Sequence, residues 1–277
     1  MAYDDGYGQQ QLQLSFPPFT GWLKRIVIIN AAIFLGLFMI GFFSKALQGG
    51  IADYFALNPP MWSGFPPVWQ LFTYGWLHSL LDPTHVFWNM MLLYMFGSMV
   101  QAAVGDRRFV AHYMIAIVLS GGVHLLLSPV MGWMVPTLGA SGAVTTMVVA
   151  AATMAPHSRV IFLIVPVKLW FMAAFLVGLD AFFFLSELQG GPGTGTAHSV
   201  HLAGAAYGFL AVRRRWIWKD PLAIIERKRA VAKMERQMSD DSRMDQIMAK
   251  ISREGIGSLT RSEKAFMTRQ SERKRQG

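Results

Sequence analysis

The chain has 277 residues, of which 53% are hydrophobic and only 15% are charged, and its mean hydropathy is +0.35. This composition excludes an ordinary soluble domain and predicts an integral membrane protein with one helical bundle and a short tail. Cysteine is absent, which excludes disulfides, thiolate metal sites and a cysteine nucleophile. The net charge of +9 arises after residue 212, where 18 of the 25 basic residues and 9 of the 16 acidic residues are found.

The first 21 residues are polar and rich in glutamine, with Asp4 and Asp5 where a secretory signal would carry positive charge. They predict a short disordered arm and no cleaved signal peptide. Six apolar runs follow, and they predict an all-α membrane protein with six transmembrane helices in a domain of residues 22–215. The runs cover about 26–43, 84–104, 109–129, 141–156, 160–185 and 198–212.

Basic residues lie at alternate ends of these runs. By the positive-inside rule, this pattern predicts that both termini are cytoplasmic and that loops 44–83, 130–138 and 186–197 face outward. The outward loops carry only Lys45, and the basic residues at the opposite end are Lys24, Arg25, Arg107, Arg108, Arg159, Lys168 and Arg213 to Arg215.

Three of the runs carry polar side chains at a similar depth. With the rise of an α-helix, Ser141 and Asn89 lie about 24 and 25 Å from the cytoplasmic ends of their runs, and His201 lies about 18 Å from its own. Polar groups at such a depth are costly unless they face one another or a cavity. The fourth and sixth runs are also too short to span the membrane fully. Together these features predict a functional site at the floor of a water-filled pit.

The residue types at this depth suit nucleophilic catalysis. A serine hydroxyl needs a base to accept its proton, and Ser141 and His201 fit these two roles. Small residues allow their helices to approach closely, and these include Gly142, Gly204 and Gly208.

Donors are also needed for an oxyanion. His85 and Asn89, four residues apart on one helical face, are candidates together with the main-chain N–H of Ser141, and the adjoining Gly139 is expected to support this site.

Other histidines and one aspartate allow alternatives. A zinc site is one reading of the four histidines near the site, but HExxH is absent and no carboxylate accompanies them in the sequence, so no metal or other cofactor is expected. Asp180 would lie near the outer interface if the fifth helix begins at residue 160, which favours a solvated or capping carboxylate. His112, His124 and His157 have no evident partner. The four histidines of the zinc reading are His78, His85, His198 and His201.

These motifs together resemble the rhomboid family of intramembrane serine proteases over about residues 66–212. The resemblance rests on His85-xxx-Asn89, Gly105-Asp-Arg-Arg-Phe109, Gly139-Ala-Ser-Gly-Ala143 and Ala197-His-Ser-Val-His-Leu-Ala-Gly204-xxx-Gly208. It implies a Ser141–His201 dyad without an acid, an oxyanion site that includes His85 and Asn89, and a membrane helix as substrate. His78 and His198 are secondary candidates, and the six-helix form implies a bacterial inner membrane.

Three positions depart from the family pattern. Gln70 stands where an arginine is usual and Gln101 where a glutamate is frequent, so an ion pair is expected to be missing. Thr145 occupies the place where an aromatic ring commonly packs on the catalytic imidazole. The orientation of His201 is therefore expected to depend on another ring or on its neighbours.

Residues 216–277 predict a basic cytoplasmic tail of three short helices. Asp220-Pro221 suits a helix start, Ser242-xx-Asp245 and Thr260-xx-Glu263 resemble capping boxes, and Gly255 is expected to end the middle helix. An apolar stripe is expected to pack on Leu259 and Phe266 or on a partner; its members are Met244, Ile247, Met248 and Ile251. The basic charge favours contact with anionic lipid over nucleic acid.

The sequence thus predicts an intramembrane serine endopeptidase that cleaves membrane-protein substrates near the outer interface. A catalytically silent rhomboid-like protein that binds membrane clients is the alternative. A small-molecule transporter ranks third, because no inverted repeat or paired broken helix is visible.

Overall fold

The computed structural model describes residues 19–64, 66–162 and 165–276. Its contacts divide the chain into two units, and the boundary along the chain lies between Asp220 and Pro221. Residues 1–18 of the expected disordered arm lie outside the described residues. Gly21, the last residue of that expected arm, is already the first residue of a helix.

All six apolar runs are helical over most of their length. In chain order the helices of the first unit are α1 (Gly21–Phe43), α2 (Lys45–Phe55), α3 (Gln70–Thr73), α4 (Pro83–Leu92), α5 (Ser98–Val104), α6 (Asp106–Met131), α7 (Ser141–Met154), α8 (Leu169–Leu188) and α9 (His198–Arg213). A π-helical turn over Leu93–Gly97 joins α4 to α5, so that these two helices form one kinked span. The all-α membrane bundle is thereby confirmed.

Four helical spans of the described chain are long and apolar enough to cross a membrane: α1, the α4–α5 pair, α6 and α8. The other two, α7 and α9, have 14 and 16 residues. Most of α7 is buried, including every residue from Thr146 to Ala152. The two short helices therefore form the buried centre of the bundle, and each is shorter than a helix that crosses a membrane fully.

The fifth span begins later than the sequence predicts. Strands β1 (Arg159–Phe162) and β2 (Val165–Lys168) form an antiparallel hairpin in register Arg159 with Lys168, and α8 starts only at Leu169. The expected start at residue 160 is wrong because β-branched residues favour a strand and Pro166 has no N–H for a helical hydrogen bond. Asp180 consequently lies about 17 Å along α8 rather than at the outer interface.

Gln70 and Gln101, which stand where the family pattern has charged residues, form neutral hydrogen bonds to the main chain. Gln101 Oε1 accepts from the main-chain N–H of Leu23 at 2.9 Å, and its Nε2 donates to Thr20 O at 3.2 Å, which caps the start of α1. The side chain of Gln70 is fully buried and bonds the main chain at Tyr54 and Asn58. Both glutamines thus stabilise the fold through hydrogen bonds to the main chain.

The described part of the second unit, residues 221–276, contains two α-helices rather than the predicted three helices. Helix α10 runs without interruption over Pro221–Glu254, so the predicted break at Ser242 is wrong, and α11 covers Arg261–Gln276. No glycine or proline interrupts the sequence around Ser242, and a capping motif alone does not end a helix whose hydrogen bonds can continue. Gly255, with φ of +79°, ends α10 as expected.

The predicted stripe packs within this unit. Ile247 is buried against Leu259 and Phe266, with Met244 and Ile251 beside them. Met248 is 53% exposed and lies outside that cluster. The Thr260 capping box is confirmed: Thr260 N donates to Glu263 Oε2 at 2.6 Å, and Glu263 N donates to Thr260 Oγ1 at 3.2 Å.

Candidate active site

The site is built on the crossing of α7 and α9. Thr146 Oγ1 lies 2.9 Å from Gly142 O and 2.8 Å from Gly204 O, so one hydroxyl links the two helices. A Cβ atom at Gly204 would overlap Gly142 O, and one at Gly208 would lie 2.5 Å from Thr146 O. The predicted packing role of Gly142, Gly204 and Gly208 agrees with this close approach of two backbones.

Ser141 is the first residue of α7 and lies beside this crossing. A Cβ atom at its neighbour Gly142 would lie 2.7 Å from Val200 Cγ1, and Val200 directly precedes His201. The main-chain N–H of Ser141 has no intrahelical acceptor, because it belongs to the first turn. The backbone contacts therefore bring Ser141 and the start of α9 to one level, with a free donor at the serine.

His201 is held by a carboxylate that sequence reasoning assigned to the interface. His201 Nδ1 lies 2.8 Å from Asp180 Oδ1 on α8. The shift of the α8 start moves Asp180 into the site, so its reading as a solvated or capping carboxylate is wrong. Nδ1 donates to Asp180, which leaves Nε2 of His201 as the proton acceptor. Among the described residues, no hydrogen bond within 3.5 Å joins Ser141 Oγ to that ring.

The same carboxylate oxygen binds a second histidine. His198 Nδ1 lies 2.7 Å from Asp180 Oδ1, and His198 Nε2 lies 2.7 Å from Thr194 Oγ1. The ring of Phe183 stacks on His198 with centroids 5.2 Å apart, and the rings of His198 and His201 meet edge to face at 6.2 Å. His198 is therefore the ring that accompanies His201 where Thr145 replaces the usual aromatic residue.

Gly139 makes room for His85 next to the serine. A Cβ atom at Gly139 would lie 2.9 Å from both Cε1 and Nε2 of His85 and 3.7 Å from Ser141 Oγ. Its φ of +134° favours glycine, and its N–H donates to Tyr74 O at 3.0 Å. Gly139 thus leaves room for the His85 ring and adopts a backbone conformation that favours glycine. As a result the His85 imidazole lies beside the Ser141 hydroxyl.

His78 packs edge to face against His85, with centroids 5.2 Å apart. Burial, with a smaller effect from the neighbouring His85, lowers the pKa of His78 to about 3, so its ring is neutral at physiological pH. Both ring nitrogens of His78 are buried without a hydrogen-bond partner among the described residues. Its contribution is to support the His85 ring by packing.

Asn89 lies one turn beyond His85 on α4, with its side chain buried. Its Nδ2 donates to His85 O at 3.0 Å, which uses one of its two amide hydrogens. The helix start that carries both residues is capped by Asp82, whose Oδ1 accepts from Thr84 N at 3.0 Å. The structure thus fixes the orientation of Asn89 and leaves one amide hydrogen for another acceptor.

Two histidines outside the site have partners that sequence reasoning missed. His124 Nδ1 binds Ser199 Oγ at 2.8 Å and its ring stacks on Trp133 at 4.8 Å. His112 Nδ1 lies 2.6 Å from the hydroxyl oxygen of Tyr207. Both histidines connect α6 to α9. Their partners lie far away along the chain, so no local pattern indicates them.

Asp180, His198 and His201 also form a set that a metal ion could use. Their ligand atoms lie within 4.8 Å of one another. The sequence-based objection to zinc was that no carboxylate accompanies the histidines, and Asp180 removes that objection. The separations of 2.7 and 2.8 Å between Asp180 Oδ1 and the two rings are those of hydrogen bonds between the side chains themselves.

Comparison with known proteins gives a matching family. A family model described as the rhomboid domain matches residues 66–216. The chain is 30% identical over 197 residues to the presenilin-associated rhomboid-like protein, mitochondrial, of Mus musculus, which covers 70% of this chain and 49% of that protein. It is 28% identical over 182 residues to presenilin-associated rhomboid-like protein A, mitochondrial, of Danio rerio, covering 64% and 45%. The chain spans about half the length of these curated relatives.

Proposed function

Because the chain belongs to the rhomboid family, we propose that it is an intramembrane serine endopeptidase in which Ser141 is the nucleophile and His201 the base. The observation that carries this proposal is the α7–α9 crossing, which places Ser141 next to the helix start that holds His201. Nδ1 of His201 is occupied, so its other nitrogen is the one available to accept the serine proton.

The reaction follows from these positions. His201 Nε2 accepts the hydroxyl proton as Ser141 Oγ attacks the peptide carbonyl carbon, and the carbonyl oxygen becomes an oxyanion. The main-chain N–H of Ser141, His85 and the free amide hydrogen of Asn89 are the proposed donors to that oxygen. His201 then gives its proton to the leaving amine, and water hydrolyses the acyl-enzyme by the same steps in reverse order.

A transmembrane helix is the proposed substrate. The carbonyl groups of a helix are bound to its own N–H groups, so the segment must unwind before Ser141 can reach a carbonyl carbon. Helices α7 and α9 have only 14 and 16 residues and are too short to cross a membrane fully, which suits access of water and of an unwound segment to their first residues. Residues with weak helix propensity near the cleaved bond are therefore expected in good substrates.

A catalytically silent client-binding protein is the second candidate. It is favoured by one observation, namely that no hydrogen bond joins Ser141 Oγ to His201 among the described residues. Catalytic hydrogen bonds are often long before substrate binds, so this observation weighs less than the polar constellation itself. Both residues of the dyad are present, as proteolysis requires.

The proposed location is the bacterial inner membrane with both termini cytoplasmic, from the distribution of basic residues and the six-helix form. The relatives are named as mitochondrial proteins, so fractionation of the source cells tests this point.

The basic segment after Arg213 is proposed to contact anionic lipid. Isolated residues 220–277 should then bind anionic but not neutral vesicles, with an affinity that falls as salt rises.

The decisive experiment is cleavage of a model transmembrane substrate in liposomes. Ser141→Ala and His201→Ala should each lower kcat by several orders of magnitude, with little further loss in the double variant, because the residues act as a unit. Ser98→Ala is the matched control, since among the described residues Ser98 Oγ donates to Met95 O of its own span. A fluorophosphonate should label Ser141. Full activity of Ser141→Ala would refute the proposal, and inhibition by a chelator would indicate a metal instead.

A further inference from the structure

The carboxylate of Asp180 is out of place in its helix. Its neighbours in α8 are almost entirely apolar, and its side chain is only 14% exposed. Placing a carboxylate in the membrane interior costs free energy, and such a residue is usually found where it pairs with other polar groups. Packing of α8 alone would be better served by an apolar residue. The partners of Asp180 therefore indicate what the carboxylate does.

Among the described residues, Asp180 forms hydrogen bonds to two histidines at the start of α9. Oδ1 binds Nδ1 of both His201 and His198, at 2.8 and 2.7 Å. A carboxylate at this position accepts a hydrogen bond from each ring, which assigns the Nδ1–H tautomer to both histidines. For His201 this is the tautomer that leaves Nε2 unprotonated for Ser141.

His198 completes a directed chain of donors. Thr196 N donates to Thr194 Oγ1 at 3.3 Å, and the Thr194 hydroxyl donates to His198 Nε2. Nδ1 of His198 then donates to Asp180. Each donor in this chain has one acceptor, so the ring of His198 is fixed at both nitrogens. It thereby holds the shared oxygen of Asp180 in place.

We infer that Asp180 is a positioning residue that makes the site a Ser141–His201–Asp180 triad, with His198 as the clamp that fixes the carboxylate. This inference rests on the proposed proteolytic function. Asp180 selects the tautomer of His201, fixes its orientation and stabilises the imidazolium that forms when Ser141 loses its proton. The proton is not transferred to Asp180, which remains ionised throughout.

The test compares Asp180→Asn, Asp180→Glu and the control Glu187→Gln in the full-length protein in liposomes. Glu187→Gln makes the same carboxylate-to-amide change two turns along α8. In a serine protease triad, the corresponding asparagine lowers kcat about 10⁴-fold through the wrong tautomer. We expect Asp180→Asn to lower kcat by about 10²–10⁴-fold with KM within about twofold, and Asp180→Glu to recover part of the loss.

A second readout does not depend on proteolysis. Nitrogen-15 chemical shifts of labelled histidine distinguish the Nδ1–H tautomer from the Nε2–H tautomer, and His201→Ala and His198→Ala identify the two signals. The wild type should show Nδ1–H at both rings, and Asp180→Asn should populate Nε2–H at His201. Thr194→Val should weaken the clamp and lower kcat by less than Asp180→Asn.

The outcomes separate this inference from the proposed function. Wild-type kcat and an unchanged His201 tautomer in folded Asp180→Asn would overturn the triad while leaving the Ser141–His201 dyad in place. A tautomer change in a protein that shows no Ser141-dependent cleavage would support the positioning role and refute the protease. A fall in kcat with an unchanged tautomer and a lower Tm would reduce Asp180 to a structural residue.

Discussion

Gly204 of α9 lies directly against the main-chain carbonyl oxygen of Gly142 of α7, with no room between them for a methyl group. This contact sits next to Ser141 in one helix and three residues from His201 in the other. The separation of nucleophile and base is therefore set by two backbones rather than by flexible side chains. Activity should respond to small changes at this crossing.

Gly204→Ala tests that relationship. The added methyl group must displace α9 or α7, and overpacking of this kind costs about 1–3 kcal/mol of stability. A displacement of about 1 Å at the reacting groups can lower the rate about 10²-fold, so kcat should fall more than stability alone explains. Gly178→Ala is the control, because a Cβ atom there meets nothing within 4 Å. Equal kcat in Gly204→Ala and wild type would contradict the rigid crossing.

Gln101→Ala tests the neutral cap that stands where the family often has a glutamate. It removes the bonds to Leu23 N and Thr20 O at the start of α1, so we expect a loss of about 0.5–2 kcal/mol, in the range of helix caps. Gln101→Glu keeps an acceptor for Leu23 and should lose less. Thermal unfolding in detergent measures both, and kcat at low temperature should be unchanged. Identical Tm values for all three proteins would remove the capping role.

The sequence predicts the fold and most of the site because membrane helices are local patterns. Apolar runs give the six spans, and helical rise gives the common depth of Ser141, Asn89 and His201. The role of Asp180 is missed because it depends on where α8 begins. The predicted start at residue 160 lies nine residues before Leu169, and that shift moves the carboxylate from the interface to His201. Strand pairing between residues 159 and 168 has no signature in hydropathy.

In the tail, too, local sequence signals predict some helix ends correctly and others wrongly. Gly255 and the Thr260 capping box are local signals, and both end or begin helices as predicted. The capping motif at Ser242 is equally local but lies within α10, because nothing nearby prevents the helix from continuing. Only the contacts of the whole unit decide which of two similar motifs marks a helix end.

The stability of α11 should depend on pH through Glu263. Hydrogen bonds from the main chain and side chain of Thr260, and then from Lys250, lower the pKa of Glu263 below its ordinary value. A depressed pKa in the folded state means that the stabilisation is complete above the ordinary pKa and is lost as pH falls through the lower one. Hydrogen exchange of α11, corrected for intrinsic rates, should therefore show fraying as the pH falls below the ordinary pKa of a glutamate.

Glu263→Gln should make α11 fray at neutral pH and remove most of this acid dependence. Glu272→Gln is the control, because Glu272 is an exposed carboxylate of the same helix. If the two variants and the wild type exchange alike at every pH, the capping box does not stabilise α11.

Asn89→Ala tests the proposed oxyanion site. Removal of one oxyanion donor typically lowers kcat about 10²–10³-fold, which is less than removal of the nucleophile. Asn30→Ala is the matched control, because Asn30 Nδ2 makes the same bond to a carbonyl four residues back, Ile26 O, on α1. Stability of each variant is measured alongside kcat. A wild-type rate for folded Asn89→Ala would exclude this residue from the oxyanion site.

The proposed chemistry also predicts which substrates are cleaved. The Gly139 backbone and the His85 ring crowd the Ser141 hydroxyl, so we expect the site to accept an extended chain with a small residue before the cleaved bond. Gly or Pro near that bond lowers the cost of unwinding, by about 1 kcal/mol for Gly and about 3 kcal/mol for Pro relative to Ala. Replacing them with Leu in a model transmembrane substrate should lower kcat/KM about 5-fold for Gly and more than 100-fold for Pro if unwinding precedes attack. The same substitutions placed at the far end of the substrate helix are the control. Equal rates for all these substrates would show that the enzyme does not require local unwinding.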